Sequence, residues 1–118
     1  SGGTWWLPRL VGMQRAKAMA FFGNKVSASE AEEMGLIYKS VSDDEFNSVV
    51  EKTASKLSTM PTLALGLTKA AFHEGMDCDL NDQLARELEY QFIAAESDDY
   101  AEGVASFLEK RAPEFKGK

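Results

Sequence analysis

The chain has 118 residues, a formal net charge of −6, one cysteine and one histidine. That length holds one domain with a core of ordinary size, and the acidic balance argues against nucleic acid as the main partner, because phosphate binding needs clustered cations. No apolar run approaches a membrane span, no signal peptide is recognisable, and neither Cys78 nor His73 has the companions that a disulfide, a nucleophilic pair or a metal cluster requires. The expectation is a cytoplasmic protein without metal, membrane segment or nucleic-acid partner.

Ser1-Gly2-Gly3 reads either as an expression scar or as a tight turn that delivers a helix N-terminus close to a ligand. Glycine lets the backbone approach, and the free N–H groups of a first helical turn suit an anion or a water. Trp5 and Trp6 are adjacent, so they cannot share a face. One is expected to pack inward, the other to line a pocket or a subunit contact. Gly12 ends this first short helix, and Met13 to Phe22 form the second, stopped by Gly23-Asn24. After a short extended Lys25-Val26, Ser29 is the expected N-cap of a third helix, with Glu32 completing a capping box and Gly35 as the stop. Leu36 to Val41 is apolar and β-branched at intervals and is expected to be a strand. A strand needs a neighbour, and only the few residues near Val26 offer one, which suggests that something is missing upstream.

Ser42 and Glu45 form another capping pair, and Phe46, Val49, Val50, Thr53, Ala54 and Leu57 mark a helix to about Thr59. Pro61 suits the first position of the next helix, whose stripe is Leu63, Leu67, Ala70 and Ala71 and whose stop is Gly75. Asp77 to Asp79 make a polar link. Leu84, Leu88, Phe92 and Ala95 then mark a long helix over Leu80 to Glu96, with Arg86, Glu87 and Glu89 on the opposite face. Carboxylates are abundant here and just beyond, at Glu96, Asp98 and Asp99. No apolar pocket is indicated around them, so a solvated face outweighs acid/base work.

The last stretch, Asp98 to Lys118, reads DDYAEGVASFLEKRAPEFKGK. Tyr100, Val104, Phe107, Leu108 and Arg111 fall on one helical stripe. Ser97 is the expected N-cap, early carboxylates oppose the dipole, and Lys110 and Arg111 are expected in the last turn before Pro113. The plain reading is an amphipathic helix followed by a solvated basic tail. The sharper one is that Lys110, Arg111 and Lys116 meet an anion.

Three phrases carry a family resemblance: G-G-T-x-x-L-x-R-x-x-G from Gly2, G-N-K-V-S-A-S-E-A-E-E-M-G-L-I from Gly23, and E-G-x-x-x-F-x-E-K-R-x-P-x-F-x-G from Glu102. Together they resemble the C-terminal half of the crotonase (enoyl-CoA hydratase/isomerase) superfamily, in family order from Gly2 to Gly117. The first phrase, with P-T-L-A-L-G-L-T-K-x-A from Pro61, most resembles the ring-epoxide isomerase subfamily of phenylacetate degradation, which acts on 2-(1,2-epoxy-1,2-dihydrophenyl)acetyl-CoA.

The resemblance implies a mainly α chain, the helical C-terminal part of a crotonase-like α/β fold with at most one or two short strands. It implies that residues 1–41 end the crotonase core and that 42–118 form a helical assembly region. The implied substrate is an acyl-CoA, with coenzyme A part of the substrate and no separate cofactor, and the implied assembly is a trimer or hexamer of identical chains. Gly2, Gly3, Trp5 and Phe107 are the implied substrate-pocket residues, and Lys110 the implied CoA contact. The oxyanion-hole N–H groups and the acid/base carboxylates are implied upstream of Ser1, so no residue of this chain is expected to be catalytic. The alternative is a stand-alone helical module that forms oligomers and has no chemistry.

Overall fold

A computed structural model describes residues 2–118 of the chain. Among them are seven α-helices and no strand: α1 Gly3–Val11, α2 Met13–Phe22, α3 Ala28–Glu33, α4 Asp43–Ser58, α5 Thr62–Glu74, α6 Leu80–Ala95 and α7 Asp98–Glu109. The mainly α expectation is met. The helices divide into two compact units, one reaching to Val49 and the other starting at Val50.

In the first unit α1 packs on α2, and the turn between them is Gly12 at φ 81°. Val11, Ala16 and Ala31 are its buried apolar residues. Gly23 ends α2 in the left-handed region, as the Gly23-Asn24 stop predicts. The cap of α3 is two residues earlier than expected. Ser27, not Ser29, is the N-cap: its Oγ accepts from Glu30 N at 3.3 Å, and its own N–H donates to Glu30 Oε2 at 2.9 Å. The sequence offers two overlapping Ser-x-x-Glu phrases, and the earlier one leaves Glu32 free for another task. Glu32 Oε2 accepts from Ser40 N at 2.8 Å and from Ser40 Oγ at 3.0 Å, which holds its carboxyl below the usual range.

That bond also explains why Leu36 to Val41 is not the expected strand. Leu36 N–H and Ile37 N–H both donate to Ala31 O, at 2.8 and 3.2 Å, and Ser40 N–H goes to Glu32. Three of the donors a sheet would use are thus committed to α3, and a strand without a neighbour cannot satisfy its backbone. The end of α3 is a Schellman motif. Gly35 stands at φ 78°, its N–H donates to Glu32 O at 3.0 Å, and Leu36 N–H reaches back to Ala31 O.

In the second unit α5 packs on α6, and α6 meets α7. Pro61 precedes α5 as its N-cap rather than its first residue. Gln83 Nε2 donates to Ala71 O at 3.1 Å, and a Cβ on Gly75 would stand 2.9 Å from the Gln83 amide carbon, so the α5–α6 turn closes tightly on that side chain. Asp79 caps α6 by accepting from Asn81 N and Asp82 N at 2.8 and 3.0 Å. Ser97 caps α7 by accepting from Tyr100 N at 3.1 Å, as expected.

The two candidate caps of α3 separate by mutation. Ser27→Ala is expected to destabilise the first unit by about 1 kcal/mol, a typical loss for an N-cap, whereas Ser29→Ala leaves stability within error. Equilibrium urea unfolding of both variants measures this, and equal losses would contradict the assignment of Ser27.

Candidate functional site

The expected site residues fall into two sets, one in each unit. In the second unit the organising element is the first two turns of α7. Asp99 is 3% exposed. Its Oδ1 accepts from Lys116 N at 2.6 Å and its Oδ2 from Gly117 N at 2.8 Å, while Asp99 N donates to Lys118 O at 3.1 Å. One turn on, Glu102 Oε1 accepts from Glu114 N at 2.8 Å. The segment after Pro113 therefore folds back along α7 and is not the solvated tail of the plain reading. Sequence reasoning placed Asp99 on a solvated face, and nothing in its spacing distinguishes it from Asp98. Its partners are backbone amides, which carry no sequence signature.

Arg111 is also differently placed. The helix ends at Glu109, so Lys110 and Arg111 lie beyond it rather than in its last turn. Both terminal nitrogens of Arg111 donate to the Glu102 carboxylate, Nη2 at 2.8 Å, and its Nε donates to Glu109 Oε2 at 2.6 Å. This fork holds the Glu102 carboxyl down to about 2 from an ordinary 4.5, with Glu114 N–H as the second cause. It raises Arg111 further above its usual range. A guanidinium committed to two carboxylates of its own chain is not offered to an external anion.

Lys110 is exposed, and it is the non-glycine residue with a positive φ, 56°, among the described residues. The geometry is again a Schellman motif: Lys110 N–H donates to Phe107 O at 3.3 Å and Arg111 N–H to Ser106 O at 3.0 Å. Lys110 thus occupies the position that Gly35 occupies after α3. An L side chain there carries strain on the order of 1 kcal/mol. Phe107, one turn before it, is 83% exposed. The α7 stripe opens onto a groove of about 480 Å³ walled by Ala64, Ala94, Tyr100, Val104, Phe107 and Phe115.

In the first unit Gly2 stands at φ 96° and precedes α1 without any side-chain cap. The Trp6 indole folds back over it, with Cδ1 3.4 Å from where a Cβ on Gly2 would stand. Trp5 and Trp6 are 45% and 48% exposed, so neither packs inward as one was expected to. The face that α1 turns to α2 is made by Gly3, Leu7 and Pro8 against Met13, Ala16 and Ala20, around a cavity of about 400 Å³. Trp5 is instead covered by Arg9: the guanidinium carbon lies 3.3 Å from its ring centroid, and Nη1 donates to Trp5 O at 3.0 Å. Gly2, Gly3 and Trp5 thus cluster at the start of α1, and Phe107 and Lys110 at the end of α7.

Of the other carboxylates of the second unit, Glu74, Glu87 and Glu89 are tied to neighbours. Glu74 accepts from Tyr90 Oη at 3.0 Å, which raises the Tyr90 hydroxyl, and it pairs with Arg86 at 3.2 Å. Glu89 lies 3.8 Å from Arg86, and Glu87 accepts from Gln83 at 3.3 Å. This agrees with a solvated face and gives no acid/base pair. Among the described residues no group of His, Cys, Asp and Glu is arranged to hold a metal ion, and no helix is long and apolar enough to cross a membrane.

The sequence profile of the enoyl-CoA hydratase/isomerase family matches residues 1–118. The chain belongs to this family. A probable enoyl-CoA hydratase of Rhodobacter capsulatus is 47% identical over 118 residues, which are 100% of this chain and 46% of that protein. The 1,2-epoxyphenylacetyl-CoA isomerase of Escherichia coli K12 is 44% identical over 117 residues, 99% of this chain and 45% of that protein. The crystal structure of an enoyl-CoA hydratase from Bacillus anthracis superposes with a TM-score of 0.92 at 35% identity, over 99% of this chain and 45% of that one. The chain thus spans a little under half the length of these relatives, and the part of the crotonase fold that it supplies is helical.

The Glu102 bonds predict an acid limb of defined sign. A carboxyl whose pKa is depressed on folding contributes stability that is complete above its ordinary 4.5 and is lost as pH falls toward about 2. Glu102→Gln is expected to flatten the pH dependence of unfolding across that window, read by denaturant titration at several pH values. An acid limb as steep as the wild type's would remove Glu102 as its source.

Proposed function

We propose that this chain is part of an acyl-CoA hydratase or isomerase and that it supplies binding and assembly surfaces rather than acid/base groups. The family match supports a CoA thioester as the substrate class, and the relatives' names point to an enoyl-CoA or a ring-epoxide phenylacetyl-CoA. The chemistry we propose for the whole enzyme is a thioester enolate stabilised by two N–H donors, with a carboxylate shuttling the proton. None of the carboxylates described above is assigned that role. Gly2, Gly3, Trp5 and Phe107 are proposed to wall the substrate pocket, and Lys110 to contact the CoA phosphates.

The observation that carries this reading is the placement of Lys110. A glycine would relieve the backbone at φ 56°, yet the chain keeps a cation there, exposed and one turn from an exposed phenylalanine. Strain retained at an exposed charged residue is reasonable when the side chain meets a ligand. An ammonium is suited to a phosphate as a point charge. Residues 1–41 are proposed as the end of the catalytic core and 42–118 as an assembly region, in a homo-oligomer and in the cytoplasm. The apolar residues Phe21, Phe72 and Leu108, 78%, 76% and 74% exposed, support assembly, because exposed apolar faces of this kind mark contacts between chains. A stand-alone module without chemistry is not favoured, since the relatives carry enzyme names.

Two substitutions at one position test the reading. Lys110→Ala is expected to weaken binding of crotonyl-CoA about tenfold, the scale of one charge-assisted contact, and to leave the corresponding acyl-pantetheine nearly unaffected, both read by isothermal titration. Equal losses for the two ligands would count against a phosphate contact. Lys110→Gly is expected to weaken CoA in the same way while raising stability by roughly 1 kcal/mol through relief of the left-handed backbone. A Lys110→Gly variant less stable than wild type would remove strain from the argument.

A further inference from the structure

Residues 112–118 belong to no helix, yet they follow a defined path along α7. The apolar part of that contact is small. Phe115 is half-buried, and its ring edge lies 3.7 Å from where a Cβ on Gly103 would stand. The polar part is larger. The consecutive N–H groups of Lys116 and Gly117 converge on the two oxygens of one buried carboxylate, Asp99, whose own N–H closes the loop to Lys118 O. Glu102 takes Glu114 N–H one turn further on. Such paired amides form an anion cradle, and here the anion is a side chain of the same molecule. Gly117 is suited to its place for two reasons: it stands at φ 75°, and a Cβ there would collide with Thr62 Oγ1.

We propose that residues 114–118 form a strap latched by Asp99, and that its closed state completes one wall of the α7 groove by seating Phe115 over Gly103. A segment held by few apolar contacts and by bonds to two carboxylates, Asp99 at its end and Glu102 at its start, opens at lower free energy than the helix beneath it. The strap is therefore a separate opening unit: loss of the latch frees it without melting α7. In the open state Phe115 leaves the groove, which loses that part of its lining. This follows from the geometry of the second unit alone and does not depend on the acyl-CoA reading.

Amide exchange by NMR on the 118-residue chain tests it. In the wild type the Lys116 and Gly117 amides are expected to be protected, with a nuclear Overhauser effect between the Phe115 ring and the Gly103 Hα. In Asp99→Ala, protection at Lys116 and Gly117 is expected to fall at least about tenfold and that effect to vanish, while the amides of Val104 to Ser106 keep theirs. Gly117→Val breaks the latch from the strap side, because a β-branched residue cannot take that φ, and is expected to give the same result with α7 untouched. If Asp99→Ala melts the start of α7, Gly117→Val decides. Unchanged protection at residues 116 and 117 in Gly117→Val overturns the latch, and equal loss along the body of α7 overturns the separate strap.

Discussion

Among the described residues Val11, Ala16 and Ala31 are the buried apolar side chains, and none of them is large. Aromatics such as Phe21, Phe72 and Phe107 stay outside. With few side chains fully buried within the chain, much of the placement falls to groups that satisfy the backbone. Ser27, Asp79 and Ser97 each accept the first amides of a helix. Glu32, Asp99 and Glu102 accept amides from segments that leave a helix. At these places a side-chain oxygen takes a main-chain N–H that has no helical partner, while the α5–α6 turn uses the reverse, Gln83 Nε2 donating to Ala71 O.

The two Schellman ends show how the same backbone device serves different purposes. After α3 the left-handed position is filled by Gly35, and the following segment turns back onto Ala31 and Glu32. After α7 the same position is filled by Lys110, and the following segment turns back onto Glu102 and Asp99. The bond pattern is alike, so the second helix would end as well with a glycine. What distinguishes the sites is charge. Arg111 is neutralised by Glu102 and Glu109, and Lys110 beside it is left outward. One cation of the adjacent pair is structural, and the other is available. Counting charges along the sequence makes no such distinction.

Arg9 and Trp5 are the counterpart in the first unit. A cation four residues along the helix covers an indole and bonds its carbonyl, so the aromatic has a fixed place without being buried. Trp6 achieves the same by lying over Gly2. Both tryptophans are thereby ordered at the start of α1, where an uncapped helix N-terminus also points.

Much of the helical order was legible in the sequence, because helix ends are set by local chemistry. Gly12, Gly23 and Gly35 as stops, Ser97 as a cap and the boundaries of the longer helices follow from residues within one turn of each other. The family, too, was legible, because its phrases are local. Three things were decided only by tertiary structure. The choice between Ser27 and Ser29 turned on Glu32 having a second partner at Ser40. The segment from Leu36 to Val41 has the composition of a strand, but its donors found α3 instead of a neighbouring strand. Asp99 looked like any acid in a first turn until the chain end returned to it from eighteen residues away. In each case a backbone group more than one helical turn away takes part in the deciding bond, and a backbone amide is the same in every residue but proline, so no pattern of side chains can announce it.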